Sequence, residues 1–405
     1  MPKSPSISTS ALPIGLRRIL RPNLSKHARG ALLIAAVSGR ALARAAAHAG
    51  YVPLVADFFA DLDTQTLAAG AHKVPGDISR GFHWETLEPA LKILCARAPS
   101  PPLGLVYGSG FEDRPQVLDR IAQHWPLLGN DSGTVADVND PERFFSALDR
   151  EAIRHPEVRL EQPEQPSFWI AKRSGGAGGS HVVPAETRQA GQNTYFQRLM
   201  PGRAVSSLFV ANRETATVLG FSEQWTAPAE GKPWRHGGAA YPAELPAGVA
   251  DQLAEIIQRI AVAFQLVGLN SADFLLKDTE PLLIEINPRA GGTLDLYEDA
   301  KPPLLAVHLD AVLHGVLPKQ PVQLNEATAS MVVFAPGPLT IPEDMDWPHW
   351  AADLPKEGER IDKERPICTV LARAGSMDQA RRLVQARVVD LLSALQAAET
   401  RPYAD

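Results

Sequence analysis

The sequence contains little cysteine and no long hydrophobic run. Only two of its 405 residues are cysteines, Cys95 and Cys368, which lie far apart and beside apolar residues. This arrangement gives little support to a disulfide or a metal site. It favours buried thiols in a reducing compartment, and we therefore expect a cytoplasmic protein. Because no apolar run approaches the roughly 20 residues of a membrane-spanning helix, we expect no membrane insertion.

Over most of the chain, basic residues also do not outnumber acidic ones. Lysine and arginine number 40 against 46 aspartates and glutamates, and the formal net charge is −6. This balance argues against nucleic-acid-binding and membrane-surface proteins, which favour a basic face. The exception is residues 1–28, which contain lysine and arginine but no acidic residue. We interpret this stretch as a disordered basic arm, with an organellar targeting segment as the alternative.

The length and the hydrophobic pattern predict an α/β protein of several domains. Two continuous apolar runs, 31–37 and 51–57, flank an alanine- and arginine-rich segment. This order is typical of a parallel sheet with crossover helices, whose strands are buried on both faces. We predict three domains after the basic arm: an N-terminal parallel α/β domain over 29–135, a central domain over 136–320 and a small C-terminal α+β domain over 325–398.

Residues 267–293 are the most informative stretch for function. They contain two strand-like runs around a polar turn, which predicts an antiparallel hairpin. If the hairpin is centred on Thr279, Asp273 lies directly opposite Glu285. Because side chains alternate between the two faces of a strand, the face away from these acids should be core. We expect this core face to contain Phe274, Leu276, Leu282, Ile284 and Ile286.

The polar face of this hairpin carries Asp273, Glu285, Asn287 and Arg289. Two directly opposed carboxylates repel each other, and a divalent cation between them would remove this penalty. A ligand set of two carboxylates and one amide suits Mg²⁺, which commonly binds through one or two carboxylates together with substrate phosphates. The alternative is a charged face that is simply solvated, since short motifs give false positives.

A glycine-rich loop lies upstream, directly after an apolar run that ends in Lys172. Its glycines let backbone N–H groups turn toward an anion, and the lysine adds positive charge for phosphate. These glycines are Gly175, Gly176, Gly178 and Gly179. The lysine precedes the glycines, so this is not a Walker A loop, in which the lysine follows them. A flexible surface loop is the alternative.

The order of these motifs, with a strand, a lysine, a glycine loop and then an acidic hairpin, resembles the ATP-grasp superfamily. The resemblance implies a two-subdomain ATP-grasp fold behind the N-terminal α/β domain. It also implies ATP and Mg²⁺ (or Mn²⁺) as cofactors, with the glycine loop over the ATP phosphates. By the same resemblance, Asp273, Glu285 and Asn287 would hold the metal. Lys172 and Arg289 would be the catalytic groups.

A further segment, 195–202, resembles the family's hinge between the two ATP-binding subdomains, whose backbone meets the adenine. The nucleotide-binding residues implied here are Gln197, Arg198, Leu199 and Met200, together with Lys172 and the loop glycines. The chain departs from the family pattern at two positions. Ala204 stands where an acidic residue usually takes the ribose hydroxyls. A lysine that is usual near the start of the ATP domain is missing, and Arg143 is our candidate for its substitute.

The resemblance implies an ATP-dependent ligase that joins a carboxylate, expected to be an amino acid, to an amine. The acid would form an acyl phosphate with release of ADP, and the amine would then displace phosphate. The partners would be small molecules, and a homodimer is left open. Segments 268–274 and 287–293 resemble small carboxylate–amine ligases of the tyramine–glutamate ligase and pyrrolysine-pathway type. The alternatives are a bicarbonate-activating carboxylase of the same superfamily and a nucleotide-binding regulatory protein without turnover.

Overall fold

The computed structural model describes residues 28–191 and 193–399. The predicted basic arm, 1–28, lies outside the described residues except for its last residue, so the prediction for it stays open. None of the helices within the described ranges is long and apolar enough to cross a membrane.

The chain begins with a four-stranded parallel sheet in the order β3-β2-β1-β4. Strands β1 and β2 are buried along their whole length, as their continuous apolar runs predict. Because parallel strands end at one edge of a sheet, the loops after them converge there. We call residues 28–139, which contain this sheet and its helices, the N-terminal layer. Its strands are Ala31–Ala35 (β1), Val52–Asp57 (β2), Gly70–Lys73 (β3) and Pro102–Tyr107 (β4).

Helices lie on both faces of this sheet. Leu33 of β1 packs in one core with Leu91 of a helix, and Leu32 packs in another core with Leu42. The helices of the layer in chain order are Arg40–His48 (α1), Leu62–Leu67 (α2), Trp84–Arg97 (α3), Gln116–Ala122 (α4) and Ser132–Asn139 (α5); the next helix, Pro141–Arg150 (α6), packs instead in a core with residues of the large sheet.

A small antiparallel sheet follows, in the order β5-β8-β6-β7. The glycine loop connects β6 to β7, and the register of β6 with β8 places Lys172 opposite Tyr195. The strands of this sheet are Val158–Arg159 (β5), Trp169–Arg173 (β6), Val183–Pro184 (β7) and Thr194–Arg198 (β8).

The largest sheet is antiparallel, in the order β13-β12-β9-β10-β11-β14-β18-β16, and β15 pairs separately with β17. The C-terminal strands therefore continue the sheet that contains the acidic hairpin, and the domain limits given above stay predictions. The strands are Arg203–Asn212 (β9), Ala216–Thr226 (β10), His236–Tyr241 (β11), Val267–Lys277 (β12), Glu280–Asn287 (β13), Ala327–Phe334 (β14), Leu339–Thr340 (β15), Ala351–Ala352 (β16), Arg360–Ile361 (β17) and Pro366–Ala374 (β18).

Three further helices cover this sheet: Val249–Ala263 (α7), Leu304–His314 (α8) and Met377–Glu399 (α9). Leu305 of α8 packs in one core with Leu208 of β9 and Leu32 of β1, so the large sheet and the N-terminal layer share a core. Helix α7 covers the opposite face, and α9 covers the C-terminal strands. This mixed α/β architecture with an N-terminal parallel sheet confirms the predicted fold class.

Candidate active site

The predicted hairpin is formed by β12 and β13, and its register places Asp273 opposite Glu285, as expected. The turn contains Asp278 and Thr279 rather than being centred on Thr279. A regular ladder that starts from this turn would place Asp273 opposite Ile284. An irregularity in the ladder leaves Ile284 as an extra residue of β13, and this bulge brings Glu285 to Asp273.

The same bulge makes the predicted core face of β13 wrong near Ile284. Leu283 packs in the core under α7, Ile284 does not, and Leu282 is buried (6% exposed) outside that core. The extra residue reverses the alternation of side chains along the strand, so the predicted pattern fails on the turn side of the bulge. The other predicted members, Phe274, Leu276 and Ile286, are in that core.

Both carboxylates of the hairpin have polar partners. Gln224 Nε2 donates a hydrogen bond to Asp273 Oδ1 (3.0 Å), and Asn287 Nδ2 donates to Asp273 Oδ2 (3.3 Å). The ammonium nitrogen of Lys172, in the small sheet, lies 3.5 Å from Glu285 Oε2 in the large sheet. The fold therefore brings the predicted lysine to the predicted ligands. Gln224 was not predicted, because nothing in the local pattern of β10 distinguishes it.

The electrostatic environments of these two carboxyl groups differ. Burial and the neighbouring Glu285 charge raise the pKa of Asp273 to about 6. Burial also acts to raise the pKa of Glu285, but the Lys172 ammonium and His181 outweigh it, and the net pKa lies below the ordinary value. Burial lowers the pKa of Lys172, but Tyr195 and Glu285 oppose this effect and the net pKa lies above the ordinary value. Lys172 and Glu285 thus form an ion pair beside Asp273, whose ionised form is disfavoured by burial and by the Glu285 charge.

This donor set fits a hard divalent cation. A positive charge would relieve the repulsion that helps to raise the pKa of Asp273. The set contains two acidic side chains and one amide, Asn287. In the described ranges, no cluster of three or more His, Cys, Asp or Glu side chains is arranged to hold a metal ion. The residues therefore suit an ion such as Mg²⁺, which takes its remaining ligands from phosphate and water.

Arg289, the predicted catalytic arginine, is fixed by hydrogen bonds along its guanidinium. Its Nε donates to Glu112 Oε1 (2.7 Å), Nη2 donates to Asn287 Oδ1 (3.0 Å) and Nη1 donates to the Ala290 carbonyl (3.2 Å). Glu112 lies in the loop after β4 of the N-terminal layer. Sequence reasoning missed it, because an acid in a loop has no distinguishing pattern before its partner is known.

The glycine loop lies close against two other segments. A Cβ on Gly175 would lie 2.7 Å from the Glu112 carbonyl oxygen, and a Cβ on Gly179 would overlap the Trp234 carbonyl. Both glycines have a positive φ, +67° at Gly175 and +71° at Gly179. The backbone conformation and the close approach therefore each require glycine.

The other two glycines of the loop have different surroundings. The imidazole of His181 packs directly on Gly176, and its Nδ1 has no hydrogen-bond partner among the described residues. Gly178 has a positive φ of +68° and open space around it, and its carbonyl accepts a hydrogen bond from the His236 amide (3.0 Å). The loop is therefore seated by tertiary neighbours on both sides.

The predicted hinge contains an unpaired buried amide. Gln197 is 1% exposed, and its Nε2 has no hydrogen-bond partner in the part of the chain that the structure describes. Such a group is costly in a protein interior and indicates a place for a ligand or a water molecule. The backbone amides of Arg198 and Leu199 donate to carbonyls just before β5 and β6 (2.8 and 2.9 Å). Met200 follows them in the connection to β9.

The structure gives no support to Arg143 as a substitute for the missing lysine. Its exposed guanidinium pairs with Asp137 on α5, and none of its contacts with described residues reaches Lys172 or Glu285. Ala204 lies on β9 opposite Leu275 of β12, at the hinge end of the large sheet.

A sequence model of the ATP-grasp domain matches residues 138–293, which include the glycine loop and the acidic hairpin. The solved structures of a biotin carboxylase and an L-amino acid ligase have the same overall fold over most of the chain. The chain therefore contains an ATP-grasp domain and has the ATP-grasp fold, with an N-terminal parallel sheet in front of it.

The similar proteins differ in what they do. An uncharacterized protein of Methanocaldococcus jannaschii is 28% identical over 264 residues, which cover 61% of this chain and 64% of that protein. More than a third of that relative is thus outside the match. Biotin carboxylase from Campylobacter jejuni has a TM-score of 0.67 at 14% identity, over 87% of this chain and 89% of that one. The L-amino acid ligase from Bacillus licheniformis has a TM-score of 0.66 at 13% identity, over 90% and 98%.

Proposed function

We propose that this protein is an ATP-dependent carboxylate–amine ligase. The observation that carries the proposal is the contact between Lys172 and Glu285, which joins the small and large sheets at one point. A buried lysine, two opposed carboxylates and a fixed arginine lie there together with the glycine loop. Phosphoryl transfer needs this combination, because its catalysis consists largely of positioning and of neutralising repulsion between anions.

In this proposal ATP binds between the two sheets. The glycine-loop amides and Lys172 bind the phosphates. The hinge, 197–200, binds the adenine, which would supply the partner that the buried Gln197 amide lacks. Asp273, Glu285 and Asn287 hold Mg²⁺ or Mn²⁺, which neutralises charge on the phosphate oxygens when it is bound.

The first step forms a bond between a carboxylate oxygen of the acid and the γ-phosphorus of ATP. The bond from that phosphorus to the oxygen of the β-phosphate breaks, so ADP leaves and an acyl phosphate remains. Lys172 and Arg289 place positive charge beside the transferring phosphoryl oxygens. In the second step the amine nitrogen attacks the acyl carbon and loses a proton, and phosphate leaves as the amide forms.

The substrate class is the finer part of the proposal. Segments 268–274 and 287–293 resemble ligases of the tyramine–glutamate and pyrrolysine-pathway type. The structurally similar enzyme of Bacillus licheniformis is an L-amino acid ligase. We therefore propose an amino acid as the acid, a small amine as the acceptor and the cytoplasm as the location. The similarity to a biotin carboxylase keeps bicarbonate activation as the second candidate.

Coupled measurement of ADP release tests the proposal. Mg-ATP is incubated with panels of amino acids and amines, and with hydroxylamine as a trap for the activated acid. We expect equal amounts of ADP and phosphate, with a hydroxamate in the trapping reaction. Lys172→Met should slow turnover roughly a hundred-fold or more, which is the cost of one lost transition-state donor. Lys277→Met, which changes an exposed lysine at the end of β12, is the control and should behave as the wild type.

Other products would identify other functions. Release of AMP and pyrophosphate would point to adenylation and would contradict the proposed mechanism. ADP release that needs bicarbonate and no amine would establish the carboxylase. If Mg-ATP raises the melting temperature but no pair of substrates releases ADP, the regulatory alternative holds.

A further inference from the structure

The N-terminal layer holds the segment after β13 at three points. Asn130 Nδ2 donates to the Pro288 carbonyl (2.9 Å), and the Tyr107 hydroxyl, which donates to the Asn130 carbonyl (2.8 Å), lies 3.2 Å from the Pro288 carbonyl. Glu112 Oε1 accepts a hydrogen bond from Arg289 Nε (2.7 Å). The first two contacts hold the backbone, whereas the contact with Glu112 holds the side chain that we place in catalysis.

Glu112 is itself held by its own loop. Its Oε2 accepts hydrogen bonds from the backbone amides of Gly110 (2.7 Å) and Phe111 (3.0 Å). The Glu112 side chain is 9% exposed and that of Arg289 is 8% exposed. With both carboxylate oxygens engaged in a buried setting, Glu112 has one orientation. Its charge-assisted bond then transmits that orientation to the guanidinium.

Hydrogen bonds continue from Arg289 to the candidate metal ligands. Arg289 Nη2 donates to Asn287 Oδ1 (3.0 Å), and Asn287 Nδ2 donates to Asp273 Oδ2 (3.3 Å). These two bonds turn the Asn287 oxygen toward Arg289 and its nitrogen toward Asp273.

The same stretch also borders the glycine loop. The Glu112 carbonyl oxygen lies only 2.7 Å from the position that a Cβ on Gly175 would take. Asp113 Oδ1 accepts a hydrogen bond from Arg173 Nη1 (2.9 Å), and Arg173 is the residue at which β6 ends and the loop begins. Glu112 and its neighbour thus contact both halves of the proposed ATP site.

We propose that Glu112 is a positioning residue for phosphoryl transfer, which orients Arg289 toward the γ-phosphoryl group while the glycine loop closes over the Glu112 backbone. This inference rests on the proposed function for the place of ATP. Because Arg289 would serve the γ-phosphoryl group, loss of Glu112 should weaken binding of ATP and leave binding of ADP unchanged. A purely structural role would affect both nucleotides alike.

Isothermal titration of the full chain with Mg-ADP and with a non-hydrolysable Mg-ATP analogue tests the inference. Glu112→Gln keeps the size of the side chain but turns an NH₂ group toward either the arginine or the two backbone amides. We expect roughly ten-fold weaker binding of the analogue, from the loss of one charged hydrogen bond, and unchanged binding of ADP. Glu298→Gln is the matched control, because Glu298 is similarly buried and also pairs with two arginines, Arg44 and Arg373, neither of which contacts the residues of the candidate site.

The outcomes separate this inference from the proposed function. Equal weakening of both nucleotides, or no weakening, overturns the role of Glu112. If the wild type binds both nucleotides but no substrate pair releases ADP, the ligase proposal fails and the binding comparison still decides on Glu112. If the wild type binds neither nucleotide, both proposals fail. If Glu112→Gln does not fold, Glu112→Asp, which keeps the charge with a shorter reach, should show the same selective loss.

Discussion

Lys172 shows how one buried charge makes two similar carboxylates different. Its side chain is 4% exposed, and an ammonium in such a place is costly unless it is paired. Glu285 provides the pairing across the two sheets. Asp273, on the adjacent strand, is hydrogen-bonded by the neutral side chains of Gln224 and Asn287. The two acids look equivalent in the sequence, but Glu285 forms an ion pair with Lys172 whereas Asp273 forms none with the described residues.

Neutralising these two acids should therefore have opposite effects on the metal-free protein. Asp273→Asn removes one of two opposed charges and should raise the free energy of unfolding by about 1–2 kcal/mol. Glu285→Gln leaves Lys172 buried without its partner. It should lower the free energy of unfolding by about 1–3 kcal/mol, since Glu285 is partly exposed. Urea unfolding at pH 7.5 in EDTA measures both effects. A change of the same sign in both variants would contradict the assignment of the ion pair.

At the scale of elements, local irregularities place the reactive groups. A regular β13 behind this turn would bring Ile284 to Asp273, and the extra residue brings Glu285 there instead. The glycine loop also departs from regular backbone geometry. It adopts left-handed backbone conformations and closes onto the Trp234 carbonyl through Gly179. The bulge and the loop conformation both depend on contacts with other segments of the chain.

Two alanine substitutions in the glycine loop should separate backbone strain from docking. Gly178 and Gly179 have similar φ values, +68° and +71°, so an alanine should cost about 1–2 kcal/mol of strain at each. Gly178 faces open space, whereas a Cβ on Gly179 would meet the Trp234 carbonyl. We expect Gly179→Ala to weaken Mg-ATP analogue binding at least ten-fold more than Gly178→Ala, as measured by titration calorimetry. Equal effects would show that strain, rather than docking on Trp234, limits the loop.

Across the whole molecule, buried polar contacts join regions that are distant in sequence. Arg40, the first residue of α1, is 2% exposed. Its guanidinium pairs with Asp295 (2.5 Å), in the loop beyond the hairpin, and with Asp353 (2.9 Å), in the C-terminal part. These contacts, together with the shared hydrophobic core, hold the N-terminal layer against the sheet that contains the candidate metal ligands. The N-terminal layer is therefore fixed against the candidate site.

His308 should make one contact between the N-terminal layer and the large sheet depend on pH. Its Nδ1 accepts a hydrogen bond from the Leu269 amide (2.9 Å) of β12, and its Nε2 lies 3.0 Å from the Leu128 carbonyl of the N-terminal layer. Burial lowers the pKa of His308 to about 4. The unfolded chain takes up this proton below about pH 6.5, so the stabilisation is complete above that pH and is lost as the pH falls toward 4.

Comparison of the wild type with His308→Gln measures this contribution. The variant lacks the titrating group, so its free energy of unfolding should fall less than that of the wild type on acidification. Between pH 7.5 and pH 5 the advantage of the wild type should shrink by about 2 kcal/mol, as followed by urea unfolding. His83→Gln, at an exposed histidine, should leave the pH profile unchanged. A constant difference between wild type and His308→Gln would mean that His308 keeps its ordinary pKa in the folded protein.

The sequence by itself determined the features that depend on local pattern. Continuous apolar runs predicted the buried parallel strands, and alternation around a polar turn predicted the hairpin of β12 and β13, although the bulge and not a turn centred on Thr279 places Asp273 opposite Glu285. The order of lysine, glycines and acidic hairpin predicted the ATP-grasp fold, which the domain match over residues 138–293 supports. The strands, the hairpin and the glycine loop follow from backbone periodicity and from the conformations that glycine permits, which act over a few residues, whereas the ATP-grasp fold was implied by the resemblance.

Only the tertiary structure decided which groups meet. Lys172 and Glu285 lie in different sheets, and Glu112 reaches Arg289 from the N-terminal layer. No periodicity relates such residues, because their approach depends on how sheets and layers pack. The presence of Leu283 instead of Ile284 in the core under α7 has the same origin. A bulge is fixed by pairing with the neighbouring strand, and a single strand's sequence does not contain that information.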